Sequence, residues 1–135
     1  MGCELELMAT ELPVKAAEQG TLVLEGTAKI GTTGIVPNGD VTWTLTKLDG
    51  TIINSRQDVS VTASGSLITI ALSDNDLAIF SDDPVAIVDL PNVGPIQLKT
   101  GRRVLLVEFT YDSSVGNDLP VKNQVFFTVE EVIGN

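Results

Sequence analysis

The sequence predicts an all-β fold whose strands pack in two layers. Three observations lead there. Helix signals are nearly absent. Short stretches in which apolar and polar residues alternate recur along the chain, as half-buried strands do. Clusters of Gly, Asp, Asn and Pro separate these stretches at intervals of roughly ten residues. The 135 residues suit one domain with its own core.

From the N-terminus, Glu11 to Val14 reads as a short edge strand, because Pro13 lacks the N–H that an interior strand needs. Thr21 to Ile30 reads as a longer strand with Leu22, Leu24, Gly26, Ala28 and Ile30 on one face. Gly31 to Asp40 is expected as a loop, turned by Pro37-Asn38-Gly39. Val41, Trp43 and Leu45 then alternate with Thr42, Thr44 and Thr46, which sends Trp43 into the core. Asp49-Gly50 supplies a hairpin turn, since both residues tolerate positive φ, and Thr51 to Ser55 is expected to return as a strand.

Asp58 to Ala63 alternates again through Val59 and Val61, and Ser64-Gly65 turns the chain. Ser66 to Leu72 places Ile68, Ile70 and Leu72 on one face. Ser73-Asp74-Asn75-Asp76-Leu77 has the capping residues of a helical turn, suited to a crossover between sheets. Asp82 to Thr100 is unusual, for it holds Pro84, Pro91 and Pro95 and is nevertheless apolar. So long a connection in a compact domain is functional or hides a strand, and Val85 to Leu90 is expected as that strand. Arg103 to Tyr111 reads as a strong strand with Leu105, Val107, Phe109 and Tyr111 facing one way. Asp112 to Pro120 is expected as a polar loop, and Val121 to Glu130 closes the domain with Val125, Phe127 and Val129 inward.

Roughly seven or eight strands with short turns give an immunoglobulin-like antiparallel β-sandwich, with a closed helix-free barrel as the other architecture. The single Cys3 excludes an internal disulfide, so the sandwich is of the disulfide-free kind. Residues 1–19 are expected as an N-terminal arm or edge segment and residues 20–135 as the sandwich.

A net charge of −10 repels phosphate backbones, which argues against a nucleic-acid partner. No run of apolar residues is long enough for a membrane span. The start, Met1-Gly2-Cys3-Glu4, has neither the basic nor the apolar region of a signal peptide, and Glu6 stands where a myristoylation motif wants Ser or Thr. Met8 is a candidate native start.

Catalytic chemistry is poorly supplied. The chain has no histidine, which removes the commonest general base and zinc ligand. Cys3 has no imidazole to activate it, and no glycine loop has phosphate-binding spacing. Asp74, Asp76, Asp82 and Asp83 could form an acid pair or, with Asn75, a calcium loop. The mid-loop Gly and closing Glu of such a loop are missing, so these carboxylates are expected to serve turns and caps. No catalytic residue, cofactor or metal is therefore expected. The candidate partner contacts are the apolar residues Val85, Ile87, Val88 and Leu90 and the basic step Arg102-Arg103.

Three stretches, Trp43 to Arg56, Arg103 to Asp112 and Leu119 to Glu130, together resemble small immunoglobulin-like proteins encoded among the structural genes of tailed bacteriophages. The resemblance covers roughly Thr21 to Glu130. It implies a non-enzymatic virion component, made in the bacterial cytoplasm, such as a capsid decoration protein or a neck or tail accessory subunit. Its partners would be other capsid, neck or tail subunits or further copies of itself. The Asp82 to Thr100 segment is longer than the family pattern, which marks it as the first candidate for a subunit contact. The alternative is an extracellular bacterial immunoglobulin-like module that binds a surface or a sugar.

Overall fold

Side-chain alternation builds the layers. The computed structural model describes residues 10–30 and 33–132, and ten strands lie among them. The larger sheet has the order β1 (Thr10–Ala17), β10 (Gly116–Glu130), β9 (Gly94–Ser113), β5 (Val41–Lys47) and β6 (Val59–Val61). A further strand, β8 (Val85–Leu90), also pairs with β9. The second layer is the pair β2 (Thr21–Thr27) and β7 (Leu67–Ser73). A small ladder joins β3 (Lys29–Ile30) to β4 (Thr33–Gly34).

The core lies between the layers. Val41, Trp43 and Leu45 of β5, Leu105, Val107 and Phe109 of β9, and Val121, Phe127 and Val129 of β10 turn inward. They meet Ile68, Ile70 and Leu72 of β7. Trp43 is 6% exposed, as its phase on β5 requires. The order is immunoglobulin-like: β2 and β7 take the places of strands B and E, and β5, β9 and β10 those of C, F and G. The sheets stay separate, so the barrel alternative does not apply.

Several elements differ from the sequence expectation. The sandwich is not purely antiparallel, because β1 runs parallel to β10. Residues 10–17 form this edge strand and so belong to the sandwich, while the proposed arm before residue 10, with Cys3 and Met8, lies outside the described residues. Thr51 to Ser55 does not return as a strand. Only Ile52 bridges to Thr46, after which Asn54 and Ser55 adopt left-handed φ of 53° and 56° and Ile53 drops into the core. The strand expected over Thr21 to Ile30 breaks after Ala28: its N–H still donates to Ser66 O in register with the β2–β7 ladder, but its carbonyl accepts from Ile35 N–H instead. The polar loop expected at Asp112 to Pro120 is mostly strand. The turn is Ser114-Val115, and polarity here reflects exposure of the paired strands. Val85 to Leu90 is the hidden strand, and Asp74–Leu77 is the expected helical turn, a 3-10 turn leading from the smaller sheet towards the larger.

Candidate interaction surface

The two layers differ in length. Strand β9 has 20 residues, whereas β2 and β7 have seven each. At about 3.3 Å per residue, β9 outreaches them by roughly 40 Å. Its C-terminal part carries the sandwich; its N-terminal part, Gly94 to Lys99, pairs only with β8 along that edge. Both β5 and β8 lie on the same side of β9, one beyond the other. The Lys99 carbonyl accepts from Glu131 N–H on the β10 side, and Thr100 N–H donates to Pro84 O on the other.

A buried ion pair anchors the root of this extension. The inward phase of β9 puts Arg103 at 1% exposure, beneath the chain linking the 3-10 turn to β8. Its Nη2 donates to Asp83 Oδ2 at 2.7 Å and its Nη1 to Asp83 Oδ1 at 3.1 Å. The guanidinium also donates to the carbonyls of Ala78 and Arg102 and stands 5.2 Å from the Phe80 ring centroid. Asp83 Oδ2 accepts from Phe80 N–H as well, at 2.7 Å. Burial pushes the Asp83 carboxyl up, but bonds from Arg103 and Phe80 N–H hold it below the ordinary carboxylate range. Gly101 leaves room for this group: a Cβ there would overlap the Arg103 guanidinium.

A second buried carboxylate sits nearby in sequence. Asp76 Oδ1 accepts from Arg56 Nε at 2.7 Å and Asn54 Nδ2 at 2.9 Å, and Oδ2 accepts from Ser73 N–H at 3.2 Å. Burial raises its carboxyl, and these donors bring it below the usual value. Asp82 pairs with Lys47 at 3.1 Å, and Asp74 is exposed at the start of the 3-10 turn. Three of the four carboxylates proposed for acid or calcium chemistry are thus held by structural cations. Among the described residues no group of three or more His, Cys, Asp or Glu could hold a metal. An open depression of about 270 Å³ on the outer sheet face is lined by Asp40, Glu108 and Lys122 among others, with Lys122 3.5 Å from Glu108.

Beyond the anchored root, the hairpin of β8 and β9 is exposed on one face, where Val85, Ile87 and Pro95 stand with Asp89 and Gln97. Its tip has Pro91 followed by Asn92 at φ 65°, the pattern of a type II turn, and Val93 N–H donates to Leu90 O at 3.2 Å. Val85 stands opposite Lys99 in the ladder, so Val85 and Ile87 share the face on which Arg103 and Leu105 turn inward. No second layer among the described residues covers them: Val85 is 55% and Ile87 70% exposed. Val93 at the tip is 67% exposed.

Of the predicted contacts, Val85 and Ile87 lie on this open face, and Val88 and Leu90 are half-buried on the opposite one. Arg102 is exposed and stands 5.8 Å from the Phe126 ring centroid. Arg103 is a correction. Its place in the inward phase of β9 buries it against Asp83, so it cannot meet a partner at the surface. Sequence reasoning missed Val93 and the strand over Gly94 to Lys99; the alternation there was legible, but Pro95 obscured it. No protein-family model matches the chain, and neither does any curated protein or solved structure.

Proposed function

We propose that this chain is a non-enzymatic structural protein of a bacteriophage virion that binds other capsid, neck or tail subunits. The observation that carries the assembly reading is the overhanging hairpin, whose exposed Val85 and Ile87 stand beyond a root held by the buried Arg103–Asp83 pair, with no layer among the described residues to cover them. Such a face is stable in water only at a cost. Fully covering a side chain such as Ile87 contributes roughly 1.5–3 kcal/mol, so a neighbouring subunit gains by docking there. The virion setting rests on the resemblance of Trp43 to Arg56, Arg103 to Asp112 and Leu119 to Glu130 to small phage structural proteins. A function without catalysis agrees with a chain that has no histidine and whose buried aspartates serve Arg56 and Arg103.

The test is mass spectrometry of purified particles from a bacterium that carries this gene, followed by a particle map. Stoichiometric presence with β8 at a subunit boundary is the expected result. Absence from particles would overturn the virion reading, and turnover of a substrate by the pure chain would overturn the non-enzymatic one.

A further inference from the structure

The outer edge of β8, unpaired among the described residues, has a definite phase. Thr100 N–H donates to Pro84 O at 2.8 Å, with Val85 opposite Lys99. In an antiparallel ladder this turns the backbone groups of Ala86, Val88 and Leu90 towards β9 and those of Val85, Ile87 and Asp89 outward. Natural sheets protect such edges with proline, lysine, register breaks or shortness. The β1 edge of the larger sheet carries Pro13, Lys15 and a register break between Glu11 and Lys15. The β6 edge is only three residues long. The six residues of β8 have no proline, no lysine and no break.

We propose that a second copy of this chain pairs with the β8 edge, antiparallel and two-fold symmetric about Ile87. This names the partner of the surface in the assembly reading and rests on that reading. In this register Ile87 faces its own equivalent, and each Asp89 stands opposite the other copy's Val85. A two-fold contact requires such self-complementarity.

Charge selects the occupant. The chain has a net charge of −10, yet between Pro84 and Leu98 its one charged residue is Asp89. A basic foreign partner is drawn to the acidic remainder of the surface. A like-charged copy approaches best where charge is sparse, and β8 offers such a place. The two Asp89 carboxylates lie four residues apart along the pair, about 14 Å, beyond the screening length of about 8 Å at physiological salt. Pairing one short strand buries less than a standard interface, so a solution dimer with Kd of roughly 10 μM to 1 mM is expected, strengthened wherever an assembly concentrates the copies.

Sedimentation velocity of the full chain, from about 5 μM to about 1 mM, reads the equilibrium. The expected result is a concentration-dependent dimer. Ile87→Pro removes an outward N–H and no bond to β9, so it should leave the strand circular-dichroism spectrum intact and raise Kd at least about tenfold. A second pair of variants, made with Cys3→Ser, fixes the register. Two Ile87→Cys side chains would meet at a Cα separation of about 5.5 Å, within disulfide reach, while two Val85→Cys side chains would be about 14 Å apart. Mild oxidation should cross-link the first and spare the second. A monomer at about 1 mM, a dimer indifferent to Ile87→Pro, or equal cross-linking of both cysteine variants would each overturn the proposal. These outcomes do not depend on whether the chain enters particles.

Discussion

Asp83→Ala tests the anchoring of the hairpin. The substitution leaves the Arg103 guanidinium in place with its carboxylate gone. Arg103 and Asp83 have side-chain exposures of 1% and 7%, so solvent screens the pair little. After the change, the two carbonyls of Ala78 and Arg102 remain as acceptors for a full buried charge. Phe80 N–H also loses its 2.7 Å acceptor. Breaking a buried pair by removing one partner costs about 3–5 kcal/mol. For a domain of this size that lowers Tm by about 10–20 °C. Urea unfolding followed by Trp43 fluorescence measures the loss. Replacing both partners, Arg103→Met with Asp83→Leu, should recover stability to within about 1 kcal/mol of wild type, because no unpaired charge then remains. If Asp83→Ala alone stays within about 1 kcal/mol of wild type, the charge is not buried as described and the anchoring argument fails.

Three further outcomes are expected. Trp43→Ala, at a site 6% exposed between the layers, should cost about 3–5 kcal/mol in chemical denaturation; a loss below about 1 kcal/mol would place the indole outside the core. Gly101→Ala drives a Cβ into the Arg103 guanidinium and should destabilise by about 1–3 kcal/mol, with the loss greatly reduced when Arg103 is replaced by Met. Asp76 and Asp83 have folded pKa values below the ordinary carboxylate value, so their contribution is complete above an unfolded pKa of about 3.9 and disappears as pH falls through the lower folded value. Tm should therefore be level near neutrality and drop below about pH 4, less steeply in Asp83→Asn; equal slopes in the two proteins would contradict the assignment.

What the sequence disclosed was whatever depends on period alone. The alternation of Val41, Trp43 and Leu45, and of Ile68, Ile70 and Leu72, placed their inward faces correctly. The strand at Val85 to Leu90 emerged because a long apolar connection must pair its backbone somewhere. Features set by distant contacts stayed hidden. Nothing local shows that β1 lies parallel to β10, or that Ile52 makes only a bridge before Asn54 and Ser55 turn left-handed. The candidate site was legible in half. Val85 and Ile87 were visible as apolar residues beside prolines; the phase of Leu105, Val107 and Phe109 already turned Arg103 inward, but the partner that lets it be buried, Asp83, lies twenty positions away and left no local sign.

The parallel pairing of β1 with β10 also determines how the domain bears force. Tension applied through the chain preceding β1 and the chain following β10 pulls at opposite ends of two strands that run in the same direction. The load falls on the ladder from Thr10↔Val125 to Ala17↔Glu130 in shear, so its bonds must yield together and cannot be peeled one at a time. A domain clamped in this way carries stretch from one end of the chain to the other before it unravels.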